Sequence, residues 1–167
     1  MFVRFARLWG AELVFWRVTG GSRLDGVMTD SALYAILADR DFGTLATIKR
    51  DGRPQLSTVN YLYDADAGAI LISITAPRAK TKNLQRDPRA TFHVSTESGN
   101  GYVVVEGPAV LTPTAASRDD ATVDALVDHY RRARGEHPDW DEFRDAMVAD
   151  RRVLLTIPIE RVYGIQM

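Results

Sequence analysis

FGTLATIKRDGRPQLSTVNYLYDADAGAILISIT, residues 42–75, decides the fold of this chain, because it reads as strand, turn, strand, turn, strand with no room for a crossover helix. Phe42 to Lys49 is β-prone, Asp51-Gly52 is a hairpin dipeptide, and Pro54 to Tyr63 is the return strand, so the first two strands pair antiparallel. Asp64 to Gly68 makes a second turn. Ile70, Ile72 and Ile74 then alternate with Leu71, Ser73 and Thr75, which buries a face of isoleucines and turns hydroxyls the other way. Ser73 is by itself an ordinary solvent-facing strand residue, but its face leads towards the basic segment beyond Thr75.

That segment is PRAKTKNLQRDPR, residues 77–89, where Arg78, Lys80, Lys82, Arg86 and Arg89 face only one acid, Asp87, in a protein of net charge -1. Cations interleaved with Ala79, Thr81 and Asn83 at the mouth of a short helix offer an anion charge, side-chain donors and the free N–H groups of a helical first turn. The plain alternative is a solvated basic face.

Working outward, Thr29, Asp30 or Ser31 can cap an opening helix whose Leu33, Ile36 and Leu37 share one side. Upstream, Phe2, Phe5, Trp9, Leu13 and Trp16 recur at three- and four-residue steps beside Arg4, Arg7 and Arg17. Residues 1–27 are therefore expected to be an appendage, disordered or a weak amphipathic helix, in front of a start at Met28. They have neither the apolar length of a membrane span nor a small-residue cleavage site.

Downstream, Asp87-Pro88 ends the short helix. Ala90 to Thr96 and Tyr102 to Leu111 are strands joined by Glu97-Ser98-Gly99-Asn100-Gly101. From Thr112 to Asp150 the period becomes helical: Val123, Leu126, Val127 and Tyr130 share a face, and Asp139 can cap a second helix carrying Phe143 and Met147. Asp119, Asp120, Asp124 and Asp128 support the dipole of the first of these helices. Val153 to Ile159 and Val162 to Ile165 supply a last strand, bent near Pro158. The expected architecture is mainly β (α+β): six antiparallel strands in a small closed barrel over residues 28–167, with a few peripheral helices.

At 167 residues, 46% hydrophobic and 26% charged, the chain suits one globular domain. Having no cysteine, it has no disulfide or thiolate chemistry, and this agrees with a cytoplasmic location. His93, His129 and His137 lack metal-ligand spacing, so no metal site is expected. A pI near 6.3 gives no general attraction to nucleic acid. Neither a GxGxxG nor a GxxxxGK[ST] phosphate loop is present.

Taken in order, TLATIKRDGRPQLSTVNY (44–61), ILISITAPRAKTKNLQRDPRA (70–90), YVVVEGPAVLT (102–112) and DRRVLLTIPIERVYG (150–164) resemble the pyridoxamine 5'-phosphate oxidase-like split-barrel family, in its coenzyme F420-dependent reductase branch. The resemblance implies a homodimer of six-stranded split barrels with a flavin-like cofactor in each of two clefts at the subunit interface. It places Arg78 and Lys80 on the cofactor phosphate, with Thr81 and Asn83 as neighbouring donors. Gln55, Leu56, Ser57 and Thr58 fall on the strand that lines the tricyclic ring, Ser73 on the adjoining strand, and Tyr102 on an aromatic position near the cleft. Read from the residues alone, Gln55 and Ser57 are equally well exposed strand positions, and Tyr102 core or interface packing.

The cofactor expected is coenzyme F420, with FMN as the alternative. Lys49, Arg50 and Arg53, around Asp51-Gly52, could meet the longer anionic tail of the deazaflavin, or form a solvated hairpin tip. The function implied is hydride transfer from reduced deazaflavin to a small unsaturated molecule. An FMN-dependent oxidase acting on a phosphorylated pyridoxal vitamer and a non-catalytic flavin carrier are the alternatives. No nucleic-acid or membrane partner is expected. Catalytic residues stay unassigned: Tyr61, Tyr63, His93 and Tyr102 could donate a proton, but each also reads as packing. Substrate recognition is expected in the loops at 95–101 and 112–117.

Overall fold

The computed structural model describes residues 30–165. The appendage expected over residues 1–27, and Thr29 as a candidate cap, lie outside them. Helix α1 (Asp30–Asp39) is followed by strands β1 (Phe42–Ile48), β2 (Pro54–Asn60), β3 (Leu62–Asp64) and β4 (Ala69–Thr75), then α2 (Ala79–Arg86). Strands β5 (Arg89–Ser95), β6 (Tyr102–Pro108) and β7 (Val110–Leu111) come next. Helices α3 (Ala121–Arg134) and α4 (Trp140–Ala149) precede β8 (Arg152–Pro158) and β9 (Arg161–Ile165). The first hairpin pairs as its turn dictates, from Ile48 opposite Pro54 to Phe42 opposite Asn60.

The described residues form nine strands in two antiparallel sheets, β2-β1-β5-β6-β9 and β3-β4-β8-β7, in place of the six strands the sequence predicts. Three of the six predicted runs are each cut in two where the chain crosses from one sheet to the other, at Tyr61, at Ala109 and at Ile159-Glu160. Hydrophobic alternation continues through the first two corners, so only the change of hydrogen-bonding partner marks them; the third falls just after Pro158, where the sequence predicts a break or bend. At the last corner the N–H of Ile159 donates to the carbonyl of Gly68 (2.9 Å) and the next N–H, from Glu160, to that of Glu106 in the other sheet (3.0 Å). The sheets come so close there that a Cβ on Gly107 would stand 1.9 Å from the Pro158 carbonyl oxygen. Pro108 and Pro158 end their strands at these corners, where a missing N–H costs the ladder least.

The core lies between the sheets. Leu45, Phe92, Val103 and Val105 meet Ile70, Ile72, Ile74, Leu155 and Ile157, and Leu33, Ile36 and Leu37 of α1 pack against them. The other side of the four-stranded sheet is covered by α3 and α4, with Val123, Leu126, Phe143 and Met147 against Leu154 and Leu71. Asp120 caps α3 by accepting from the Val123 N–H (2.8 Å), and Asp139 caps α4 through the N–H groups of Asp141 and Glu142. The outer face of the five-stranded sheet carries exposed Phe42, Leu56, Tyr163 and Ile165, the first two at 56% and 64% exposure. None of the helices in residues 30–165 is long and apolar enough to cross a membrane.

Candidate functional site

Strand β4 runs straight into the basic segment. After Thr75 the chain turns, the Arg78 N–H donating back to the Thr75 carbonyl (3.3 Å), and α2 begins at Ala79. Thr81, fully buried, donates its hydroxyl to the same carbonyl (2.8 Å), which pins the helix start to the strand end. Arg78 occupies the N-cap position in an extended conformation and no side chain caps the turn. The leading N–H groups of α2 are therefore left for water or a ligand.

Beneath the helix a polar network ties it to the first hairpin. Asn83 Nδ2 donates to Thr47 Oγ1 (3.1 Å) and Gln55 Oε1 (3.3 Å), and Gln55 Nε2 donates to Ser57 Oγ (2.8 Å). Arg86 joins it by donating to Asn83 Oδ1 (3.2 Å) and to the Ile48 carbonyl. Thr47 and Asn83 are both buried, so the network satisfies groups that would be costly to strand away from water.

Above it lies a cleft of about 490 Å³ bounded by Ser73, Ile74 and Thr75 of β4, Val59 and Asn60 of β2, the pair Arg78 and Lys80, His129 of α3 and Arg152 of β8. The cations of residues 77–89 divide here, and Lys82, exposed and without an ion pair among the described residues, stands outside the cleft. Arg89 grips Asp87 (2.9 and 2.7 Å) and holds its carboxyl down at about 2, while Arg86 belongs to the network. Arg78 and Lys80 have no carboxylate within ion-pair distance among the described residues. Burial, then the neighbouring Arg78 charge, lowers the pKa of Lys80. Two adjacent like charges, one of them half-buried, are an unrelieved electrostatic cost that a bound anion would remove.

The residues expected from sequence therefore do not all meet. Ser73, Arg78 and Lys80 share the cleft. Thr81 and Asn83 lie below it with their donor groups committed to the fold. Along β2 the alternation separates Gln55 and Ser57, facing the network, from Leu56 and Thr58, which are exposed on the opposite face. Register places Thr58, Thr44 and His93 in one row and Ser95, Tyr102 and Ile165 in the next, so Tyr102 belongs to that same outer face. Its ring stacks on His93 at 5.5 Å. Tyr61 is buried, donates its hydroxyl to the Leu37 carbonyl (2.8 Å), and has its pKa raised chiefly by burial; Tyr63 stacks on Tyr34. At the hairpin tip Arg53 and Lys49 both lean on Asp51 (2.7 and 3.7 Å), which leaves Arg50 free of ion pairs among the described residues.

Sequence reasoning passed over Val59, Asn60, His129 and Arg152. The last two come from a helix and a strand far along the chain, and nothing local to either signals the cleft. His129 also lines a second cavity, of about 590 Å³, between α3, α4, β3 and the end of α1; Asn60, Ser73, His129 and Arg152 border both spaces. Burial, with the Arg132 charge adding to it, pushes the His129 imidazole down to about 4, so it is neutral at physiological pH.

Known structures share this arrangement of sheets. A conserved hypothetical protein from Mycobacterium tuberculosis is 28% identical over 86% of this chain and 88% of its own, with a TM-score of 0.65. A protein described as an F420 reductase is 20% identical, covering 76% and 93%, TM-score 0.57. The heme storage protein HutZ from Vibrio cholerae is 15% identical, covering 80% and 92%, TM-score 0.59. The family model for pyridoxamine 5'-phosphate oxidase matches residues 29–166, which takes in both sheets, the basic turn and the cleft, and this chain therefore belongs to the pyridoxamine 5'-phosphate oxidase-like family.

Proposed function

We propose that this chain is an oxidoreductase that uses coenzyme F420 to reduce a small unsaturated molecule, and that it works as a homodimer. The observation that carries the reading is Arg78 and Lys80, unpaired among the described residues, at the uncapped start of α2 beside a cleft large enough for a small ligand. A phosphate suits that donor set: two cations without acids, and backbone N–H groups at a helix start. Arg78 and Lys80 would hold the phosphate, Ser73 would offer a hydroxyl from β4, and Val59 and Ile74 would give apolar walls. Arg50, alone of its hairpin trio in having no acid partner among the described residues, is the cation free to meet a longer tail.

When bound, the deazaflavin supplies the hydride. The chain's own residues bind, orient and keep out water. No residue of the 490 Å³ cleft is placed as a strong acid, and the balancing proton comes from water. Gln55 and Ser57 act by supporting α2. Leu56, Thr58 and Tyr102 reach a cofactor only if the outer face of the five-stranded sheet is the dimer interface, which the exposed Phe42 and Leu56 favour.

A cofactor carrier without turnover is the second reading, since the heme storage protein from Vibrio cholerae shares the fold. Supplying the purified protein with reduced deazaflavin and a panel of enones separates the two. Cofactor oxidation dependent on both protein and enone supports the enzyme; tight binding with no turnover on any acceptor supports the carrier.

A further inference from the structure

We infer that the cavity bounded by α3, α4, β3 and the end of α1 is a binding site for an uncharged, flat, largely apolar ligand bearing one hydrogen-bond-accepting oxygen, which His129 receives. This deepens the proposed reductase reading by naming its substrate class, and rests on that reading only for the chemistry, not for the binding.

The walls argue for an apolar guest. Tyr61, Leu62, Leu126, Tyr130, Phe143 and Met147 line a space of about 590 Å³, within the usual range for small-molecule sites. The charged groups at its edge argue against an ionic guest, because each already has a partner. Arg132 pairs with Asp64 (2.9 Å), Arg134 with Asp41 (3.5 Å), Arg40 with Glu97 (3.8 Å) and Arg152 with Asp150 (3.0 Å). A cationic ligand would meet four arginines against Asp41 alone, and an anionic one would have to compete with these carboxylates for the arginines.

Among the polar groups of this lining, which include Asn60, Ser73 and Tyr130, His129 is the one with a buried nitrogen that lacks a partner among the described residues. Its Nδ1 is sealed from solvent without a hydrogen-bond partner, an unusual state for a buried polar atom. A lone pair left unpaired costs less than an N–H left unpaired, so the neutral ring places its proton on Nε2. Nε2–H is then what this side chain offers to the spaces it borders, and it donates to a carbonyl oxygen. Because His129, Ser73 and Asn60 border both cavities, a ligand held there sits next to the basic cleft.

Equilibrium dialysis of the full chain with 2-acetylnaphthalene, 2-ethylnaphthalene and 2-naphthoate tests this. The ketone should bind most tightly. The ethyl analogue, lacking the acceptor, should be weaker by about threefold to tenfold, as one neutral hydrogen bond dictates, and the carboxylate weaker still. His129→Ala should bring the ketone down to the ethyl analogue. Ala133→Phe, which fills the cavity from an exposed position on α3, should weaken both neutral ligands at least tenfold. FMN affinity should be unchanged in Ala133→Phe, whose side chain borders the second cavity and not the basic cleft. Equal binding of ketone and carboxylate, or ketone affinity indifferent to Ala133→Phe, overturns the inference. Loss of FMN binding in Lys80→Met bears on the cofactor cleft alone, so the two readings fail separately.

Discussion

Replacing Lys80 by Met keeps the length and apolar stem of the side chain and removes only the ammonium. If that ammonium grips a phosphate, the loss is one charge-assisted hydrogen bond, about 1.5–3 kcal/mol, or roughly a tenfold to 150-fold weaker Kd. FMN and riboflavin differ by that phosphate, so a fluorescence titration of both separates the grip from general damage. FMN binding should weaken by the stated factor in the variant, while riboflavin binding stays as in the parent. The same structure sets the direction of the stability change. Burial and Arg78 lower the folded-state pKa of Lys80, so the folded chain binds that proton less well than the unfolded chain, and near neutral pH the charge works against folding. The ligand-free variant should therefore melt at the parent temperature or above it. FMN and riboflavin affinities both unchanged would remove Lys80 from the site; both falling together, with a lower melting temperature, would show a structural role in place of a phosphate grip.

Three further outcomes rest on particular contacts. Leu56→Glu, placed on an exposed position of the outer sheet face, should turn a dimer into a monomer in sedimentation without loss of fold; a monomeric parent or a dimeric variant contradicts the proposed interface. His129 titrates at about 4 when folded and near 6.5 when unfolded, so between those values the unfolded chain takes up a proton that the folded chain refuses. Stability present above pH 6.5 is thus lost as pH falls towards 4, by roughly 3 kcal/mol at most, and chemical denaturation at several pH values should show a shallower decline in His129→Gln; identical profiles refute this. Asn83→Ala removes the donor shared by Thr47 and Gln55 and the acceptor of Arg86, and should cost about 1–3 kcal/mol in urea unfolding, an unchanged midpoint being the contrary result.

Much of the fold was legible where one physical rule acted alone. The Asp51-Gly52 turn set the first hairpin, the isoleucine alternation set the inward face of β4, and Asp139 marked the start of α4. The strand count was not legible at Tyr61 and Ala109, which sit in runs whose hydrophobic pattern is continuous across the corner, whereas Pro158 did signal the break between β8 and β9. In the site, the basic turn stood out by composition, but not which of its cations would stay free: Arg89 is neutralised by the local Asp87, whereas Arg86 is taken up by Asn83 and the Ile48 carbonyl, a contact across the sequence. The contiguous assignment Gln55 to Thr58 spans both faces of β2, and strand alternation separates Leu56 and Thr58 from Gln55 and Ser57. His129 and Arg152 reach the cleft only because α3 and β8 flank β4, and that placement is a property of the topology.

The most direct measurement is a titration of the purified parent protein with coenzyme F420 and, separately, with FMN. Saturable binding of both is expected, with one site per chain and the deazaflavin the tighter. Tighter binding of FMN would contradict the choice of cofactor, and binding of neither would contradict the cleft as a phosphate site.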